Sequence, residues 1–285
     1  MSIFSGIWVP VVTPFADGAV DHVALRRLVR FYADAGVAGL VALGTTGEPA
    51  ALEAAEQDAV LATVLAEAGA LPVLAGVAGN QTAHLRERMA QLNELPVAGV
   101  LISAPYYIRP SQAGLIEHFT ALADLSVKPV VLYDIPYRTG VRLELATLLT
   151  LAAHPRIQAV KDCAGSLDTT LALILDGRLQ VLAGDDIHLF NTLCLGGSGA
   201  IAASAHVHPE RFVALYRALT EGRLEEGRGI FHGLAPLIGA LCSEPNPGPV
   251  KAALASQGLI RDELRAPMTR ATDALRERLR ELVAA

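Results

Sequence analysis

The chain has few cysteines and no long hydrophobic run, and each absence excludes a class of protein. Three cysteines, Cys163, Cys194 and Cys242, are too few and too far apart for a disulfide framework or a CxxC pair. We therefore expect buried free thiols. No apolar stretch approaches the ~18 residues that a membrane span needs. No basic region precedes the apolar N-terminal run, so we expect a cytoplasmic protein without a signal peptide.

Positive charge and cofactor motifs are also scarce. The formal net charge is −6 with no basic block, which argues against nucleic acid or an anionic membrane as a partner. Neither GxGxxG after the first predicted strand nor GxxxxGK[ST] occurs, so no nucleotide cofactor is indicated. Asp185 and Asp186 lack a His or Glu at ligand spacing, and capping of a helix near Ile187 explains them better than a metal does. We expect a small ligand and no metal.

The residues that are present predict a single large fold. Hydrophobic residues make up 52% of the 285 residues, enough for a large core. Apolar runs typical of strands covered on both faces alternate with amphipathic helical stretches. The runs cover residues 7–12, 40–43, 73–75, 100–102, 130–132, 157–160, 181–183 and 200–202.

This alternation predicts an α/β protein built as a parallel (β/α)8 TIM barrel. We expect the barrel over residues 1–222 and a C-terminal helical region over 223–285, where the strand pattern stops.

Chemistry in such barrels lies at the carboxyl ends of the strands. Polar residues follow most of the predicted strands, and we expect them to meet at one mouth. They are residues 44–48, 78–80 and 105–107, Tyr133, Lys161 and residues 184–186. The glycine-rich segment 196–199 precedes the last strand and is expected to form a turn at the opposite end.

Lys161 is the most informative of these residues, because it ends the apolar strand IQAVK. A poorly solvated ammonium has a lowered pKa, and the free amine can attack a carbonyl to form a Schiff base. The alternative is a lysine that extends to solvent or pairs with Asp162.

Other polar residues have both a functional and an ordinary interpretation. Tyr133 could transfer protons at the imine or could be a packing aromatic. Arg138 could bind a carboxylate bidentately or could be a solvated loop residue. The segment GTTGE, residues 44–48, could bind a carboxylate through hydroxyls and free N–H groups or could be a glycine turn with a threonine cap.

Taken together, these residues resemble the dihydrodipicolinate synthase (4-hydroxy-tetrahydrodipicolinate synthase) branch of the N-acetylneuraminate lyase superfamily. The motifs that carry the resemblance run nearly end to end. They are GTTGE, PYY.RPSQ.GL..HF, YDIP.RTG, the Lys161 strand, AGDD, GG.GAI and EPNPGPVK.

The resemblance implies a barrel enzyme of lysine and diaminopimelate biosynthesis that needs no cofactor. Lys161 would form an imine with pyruvate, whose enamine attacks aspartate 4-semialdehyde. Tyr133, Thr45 and Tyr107 would form a proton relay, with Tyr107 supplied by the neighbouring subunit of a homotetramer.

The resemblance also implies the residues that bind the substrates. Thr46 would line the pyruvate carboxylate site, and Arg138 would hold the carboxylate of the semialdehyde. Gly184 and Ile201 would shape the pocket. Arg138 favours a synthase over a sialic acid lyase, since the lyases lack this arginine.

Two departures from the family pattern keep alternatives open. Tyr137 stands where many synthases have a small residue, and KDCAGS replaces the commoner run after the lysine. A related class I aldolase or keto-acid dehydratase that uses the same imine is therefore the enzymatic alternative. A catalytically silent barrel that binds a small carboxylate is the non-enzymatic one.

Regulation by lysine is not expected from the sequence. Lysine-inhibited relatives share Asn80 and Tyr106, but Ala54, Gln57 and His84 replace the histidines and glutamate of those enzymes. We expect weak or absent inhibition.

Overall fold

The computed structural model describes residues 3–284, and its strands confirm the predicted barrel. In chain order the strands are β1 (Gly6–Pro10), β2 (Phe15–Ala16), β3 (Ala19–Val20), β4 (Gly39–Ala42), β5 (Val73–Val77), β6 (Gly99–Ser103), β7 (Val130–Asp134), β8 (Ile157–Asp162), β9 (Gln180–Ala183) and β10 (Gly199–Ile201). All except β2 and β3 are parallel and close into a barrel in the order β1-β10-β9-β8-β7-β6-β5-β4. Each of the eight predicted apolar runs overlaps one barrel strand.

Helices follow the strands, and most lie where the apolar periodicity predicts them. In chain order they are α1 (His22–Asp34), α2 (Ala54–Ala68), α3 (Thr82–Asn93), α4 (Gln112–Leu125), α5 (Pro136–Thr139), α6 (Leu145–Leu151), α7 (Leu167–Asp176), α8 (Leu189–Cys194), α9 (Pro209–Thr220), α10 (Leu224–Leu241), α11 (Gly248–Ser256) and α12 (Asp273–Ala284). Four short 3₁₀ turns, Thr45–Gly47, Pro49–Ala51, Asp186–His188 and Ser204–His206, lie between them. No helix in residues 3–284 is long and apolar enough to cross a membrane.

Helix α1 shows how local sequence determines an element. The carboxylate of Asp21 accepts hydrogen bonds from the backbone N–H groups of Val23 and Ala24, which have no partner inside the helix. Leu25 and Leu28 are fully buried, as the spacing of the apolar residues predicts. The cap therefore determines where α1 begins, and the apolar stripe determines which face packs inward.

Two short elements, β2–β3 and α5, are missing from the prediction. Strands β2 and β3 pair antiparallel around Asp17 and Gly18, whose φ angles of 53° and 81° are those of a primed hairpin turn. Helix α5 starts with Pro136 and ends at Gly140 in a left-handed conformation. Both elements are too short to show a hydrophobic period, although the Asp-Gly pair is a turn signal.

The cysteine prediction is correct for one residue of three. None of the three forms a disulfide, but Cys194 and Cys242 are exposed and Cys163 alone is buried. Cys194 is the last residue of α8, and Cys242 directly follows the last residue of α10. The number and spacing of cysteines in a sequence cannot show which of them are exposed.

The packing of Cα atoms divides the chain into two compact units. Of the described residues, the first unit contains Leu74–Ile201 with residues 3–5, and the second contains Gly6–Val73 with residues 202–284. The predicted boundary between residues 222 and 223 stays a prediction.

In the first unit, β7 and β8 are adjacent and in register at their carboxyl ends. Tyr133 pairs with Lys161, and Asp134 pairs with Asp162. Successive side chains of a strand point to opposite faces, so Tyr133 and Lys161 share one face while the two aspartates share the other. This register decides which side chains can meet.

The second unit contains a fully buried lysine, Lys251 of α11. Its ammonium pairs with the carboxylate of Glu48, donates to the carbonyl of Glu263 at 2.9 Å and lies 4.1 Å from the centre of the Phe15 ring. The Lys251 side chain is 0% exposed and that of Glu48 is 2% exposed. A buried ion pair tolerates the loss of both charges far better than the loss of one, since the remaining charge has no partner.

Replacing Lys251→Met should therefore lower the free energy of unfolding by about 3–5 kcal/mol, because Glu48 would remain buried without its cation. Denaturant titration followed by circular dichroism measures this. Arg261→Gln is the matched control: it removes the exposed pair of Arg261 with Asp17 and should cost less than about 1 kcal/mol. Equal losses in the two variants would contradict the assigned role of the buried pair.

Candidate active site at the carboxyl ends of the strands

Lys161 lies in β8 one residue before the strand ends, and its side chain is held inside the protein. The residue is only 6% exposed, so its ammonium does not extend to solvent. Its neighbour Asp162 is bound elsewhere: its carboxylate accepts from the hydroxyl of Thr170 at 2.6 Å and from the N–H of Ala164 at 2.9 Å. Neither ordinary interpretation of this lysine is therefore supported.

The surroundings of Lys161 favour its neutral amine. Burial lowers the pKa of Lys161 below its usual range, and the neighbouring Cys163, Asp186 and Asp185 oppose this only in part. The guanidinium of Arg138 lowers the pKa further. An amine with a lowered pKa is the form that can attack a carbonyl carbon.

Tyr133 and Gly184 contact Lys161 directly. The ammonium nitrogen lies 4.3 Å from the centre of the Tyr133 ring, which is 6% exposed. A Cβ atom on Gly184 would lie 2.9 Å from the Cγ of Lys161 and 2.3 Å from the Sγ of Cys163. Only glycine fits there, so the structure brings three of the predicted site residues together.

A small polar cluster lies beside the lysine at the end of β9. The hydroxyl of Tyr137 donates to the carboxylate of Asp185 at 3.4 Å, and the carboxylate also accepts from the Cys163 thiol. Burial raises the pKa values of both the Asp185 carboxyl and the Cys163 thiol. Tyr137 and Cys163, a residue of the run KDCAGS, thus bring the two departures from the family pattern together at one carboxylate.

The capping interpretation of Asp185 is wrong. Asp185 occupies the N-cap position of the turn Asp186–His188, but its side chain makes no capping hydrogen bond. The bond from Tyr137 turns the carboxylate toward the cluster instead. Among the described residues, no group of three or more His, Cys, Asp or Glu side chains is placed to hold a metal ion.

Arg138 in the short helix α5 and Tyr107 in a loop belong to the first unit and are more exposed. Arg138 belongs to α5, and its guanidinium carbon lies 6.0 Å from the centre of the Tyr137 ring. Tyr107 is 89% exposed and has a φ of 71°, which is rare for a tyrosine. Its N–H donates to the carbonyl of Thr139 at 3.0 Å, so the loop is fixed while the ring extends into solvent.

Ile201 and the glycine-rich segment lie at opposite ends of β10. Ile201 ends the strand and is fully buried. The segment 196–199 turns at Gly196, as predicted, with a φ of 98° and the Gly196 N–H donating to the carbonyl of Leu193, and it enters the strand at Gly199. It is a structural turn at the amino end of the strand.

Thr45 and Thr46 lie in the second unit, in the 3₁₀ turn that follows β4. Thr45 is half-buried, and Thr46 is 4% exposed. The hydroxyl of Thr46 accepts a hydrogen bond from the side-chain amide of Asn246 at 2.9 Å. The sequence contains Asn246 in the motif EPNPGPVK but indicates no role for it, because 200 positions separate the residue from its partner.

The residues considered for lysine inhibition are positioned by local hydrogen bonds. The side-chain oxygen of Asn80 accepts from the N–H of Tyr106 at 2.9 Å. In the second unit, the amide of Gln57 donates to the carbonyls of Pro49 and Leu52. His84 and Ala54 are exposed.

Comparison with known proteins gives the family. A model of the dihydrodipicolinate synthetase family matches residues 3–285. The chain belongs to this family. It is 38% identical over 284 residues to a 4-hydroxy-tetrahydrodipicolinate synthase of Syntrophus aciditrophicus, covering 99% of this chain and 98% of the relative. It is 40% identical over 273 residues to a protein of the same name from Methanosphaerula palustris, covering 93% and 94%.

Solved structures of the family agree with the fold. The dihydrodipicolinate synthase of Acinetobacter baumannii, solved in complex with pyruvate, superposes with a TM-score of 0.95 at 33% identity, and the match covers 98% of each chain. The match includes the barrel and the C-terminal helices, so the described residues have the family architecture.

The outward face of the same strand ends carries a buried carboxyl, Asp134. It is 1% exposed and accepts from the N–H of Leu143 at 3.1 Å. Burial raises the pKa of Asp134 from 3.8 to about 7, and the nearby Asp162 adds to this, against the opposing effects of the Leu143 N–H and Arg142. The folded protein therefore holds a proton there that the unfolded chain releases.

The stability of the protein should consequently fall as the pH rises from about 4 to about 7, by on the order of 3 kcal/mol for this group. Asp134→Asn cannot titrate, so its free energy of unfolding should not show this part of the decline. Urea titrations at several pH values measure it. Asp34→Asn, at an exposed position, should keep the decline of the unchanged protein, and the same decline in both variants would contradict the assignment.

Proposed function

We propose that the protein is a 4-hydroxy-tetrahydrodipicolinate synthase that condenses pyruvate with aspartate 4-semialdehyde. The single observation that carries the proposal is the buried amine of Lys161, held beside Tyr133 with a lowered pKa in a chain of this family. The pyruvate complex of the relative from Acinetobacter baumannii supports pyruvate as the first substrate.

The proposed reaction begins with attack of the neutral Lys161 amine on the keto carbon of pyruvate. A C–N bond forms, the carbonyl oxygen takes up protons and leaves as water, and an imine results. Loss of a proton from the methyl carbon gives an enamine, whose carbon attacks the aldehyde carbon of the semialdehyde. The amino group of the semialdehyde then closes the ring and releases Lys161. No oxidant, reductant or cofactor is required.

The other site residues have roles in proton transfer and in substrate binding. Tyr133 passes protons to and from the carbinolamine, with Thr45 and Tyr107 as the rest of the relay. Thr46 binds the pyruvate carboxylate, and Arg138 binds the carboxylate of the semialdehyde. Gly184 and Ile201 shape the pocket, and Gly184 does so by leaving the space that Lys161 occupies.

We also propose that the active form is a homotetramer in which each Tyr107 acts in the neighbouring subunit. The 89% exposure of Tyr107 and its positive φ support this, because an exposed aromatic on a fixed backbone is suited to a partner surface. A location in the cytoplasm and weak or absent inhibition by lysine remain part of the proposal.

A second candidate is a related class I aldolase or keto-acid dehydratase that uses the same imine. The cluster of Tyr137, Cys163 and Asp185 favours it, since a hydrogen-bonded carboxylate beside Lys161 offers an additional polar contact to a substrate. Turnover of pyruvate with aspartate semialdehyde, compared with a panel of other aldehydes and keto acids, separates the two candidates.

Borohydride reduction in the presence of pyruvate tests the imine directly. The chain has three lysines, Lys128, Lys161 and Lys251. The unchanged protein should gain one reduced pyruvyl group, located on Lys161 by peptide mass spectrometry. Lys161→Arg should gain none and lose turnover by a factor of about 1,000 or more, while Lys128→Arg should behave like the unchanged protein. An adduct that persists in Lys161→Arg would refute the proposal.

The role of Tyr107 can be tested by mixing two inactive variants. Tyr107→Phe and Lys161→Arg should each lose most turnover. If Tyr107 acts across subunits, mixed oligomers contain some sites with both residues intact, so part of the activity should return after mixing, dissociation and reassembly. Mixtures that stay as inactive as the two separate variants would show that Tyr107 acts within its own chain or not at all.

A further inference from the structure

The segment EPNPGPVK, residues 244–251, has no role in the reaction proposed above, yet it contacts the threonine turn. It leads from α10 into α11, and two of its side chains reach residues of GTTGE. The amide of Asn246 donates to the hydroxyl of Thr46, and the ammonium of Lys251 pairs with Glu48. Because residues 244–251 contact both Thr46 and Glu48, this segment is placed to hold the GTTGE motif in position.

The direction of the hydrogen bond between Asn246 and Thr46 has a chemical consequence. A threonine hydroxyl has one proton to donate and can also accept. The Asn246 amide donates to the Thr46 oxygen at 2.9 Å, so the oxygen acts as the acceptor in this bond. The hydroxyl proton is then free to point to another acceptor. A carboxylate can only accept, and a hydroxyl that binds it must therefore donate.

The turn itself is held rigidly, so the hydroxyl has little freedom to move away. Glu48 follows the turn in a left-handed conformation with a φ of 54°. Its carboxylate is fixed by Lys251 and by the N–H of Arg265 at 3.3 Å. The hydroxyl of Thr13 donates to the carbonyl of Gly47 at 2.7 Å. A site that must place a hydroxyl to within about 0.5 Å needs such supports.

We propose that Asn246 is a positioning residue for binding of the keto acid, acting through the Thr46 hydroxyl. The amide keeps the hydroxyl proton directed toward the carboxylate of the substrate, while Lys251 keeps the turn in place through Glu48. The inference rests on the role of Thr46 in the proposed function. It adds a residue of the C-terminal helical region to the binding of pyruvate.

Two substitutions of Asn246 separate this role from a merely structural one. Asn246→Ala removes the donor, and Asn246→Asp replaces it with an acceptor of nearly the same shape that takes the Thr46 proton for itself. The concentration of pyruvate that gives half-maximal borohydride labelling of Lys161 should rise about tenfold in the alanine variant and further in the aspartate variant. Turnover at saturating pyruvate should change by less than about threefold.

A double-mutant cycle with Thr46→Val tests whether Asn246 acts through the hydroxyl. Thr46→Val alone should also raise the half-saturating concentration about tenfold. Adding Asn246→Ala to it should raise that concentration by less than about twofold, because the hydroxyl is already gone. Asn93→Ala, which removes an amide hydrogen bond to the carbonyl of Leu125, is the matched control and should leave the concentration unchanged.

Each remaining outcome decides against one proposal or both. Equal effects of Asn246→Ala with and without the Thr46 hydroxyl would overturn the inference. So would a lower melting temperature with unchanged half-saturation, since that is the result of a structural role alone. In both cases labelling of the unchanged protein would leave the proposed function standing. If pyruvate and borohydride do not label Lys161 in the unchanged protein, the proposed function and this inference both fail.

Discussion

The burial of one amine, that of Lys161, is the constraint on which the site depends. A lysine at the end of an apolar strand loses most of its water, and this burial lowers the pKa of Lys161 below its usual range, so the free amine is more accessible than in water. The barrel supplies this environment without a special loop, because strand ends lie between covering helices and the barrel interior. The packing around the lysine side chain leaves no room for a side chain at position 184, which is a glycine. The ring of Tyr133 lies in contact with the lysine ammonium.

The alternation of side chains along β7 and β8 keeps this amine free of a local ion pair. Asp162 is next to Lys161 in sequence, but it points to the other face and is bound by Thr170 and Ala164. Asp134, on the same outer face, is buried deeply enough to hold a proton near neutral pH. The carboxyls at the strand ends therefore form two groups: Asp134 and Asp162 accept hydrogen bonds on the outer face, while Asp185 and Asp186 raise the pKa of the lysine.

In the second unit, the turn that carries Thr45 and Thr46 is followed by a buried charge, that of Glu48, which needs a partner. Glu48 is nearly inaccessible to water, and Lys251 neutralises it from a helix some 200 positions later in the chain. Aromatic packing supports the pair, since Lys251 and Arg265 both lie over the ring of Phe15, at 4.1 and 4.6 Å from its centre. Residues of the C-terminal region therefore hold the turn that carries Thr45 and Thr46, because Asn246 binds Thr46 and Lys251 pairs with Glu48.

The sequence by itself determined the class of fold, the eight strands, most of the helices and the importance of Lys161. Apolar periodicity is a local property, and the carboxyl ends of parallel strands lie at one end of a barrel. The motifs that carry the family resemblance also lie within short stretches. The exposure of Cys194 and Cys242, the hairpin β2–β3 and helix α5 were not found, because a helix end or a two-residue strand leaves no periodic signal.

Only the tertiary structure decided which polar groups meet. Asp185 was expected to cap a helix, and instead it accepts from Tyr137 and Cys163, which come from other strand ends. Asn246 and Thr46 share no local pattern, and their hydrogen bond exists only because the chain folds back over 200 positions. Burial, and with it the pKa of Lys161 and Asp134, depends on every element packed around a side chain, so a short stretch of sequence cannot determine it.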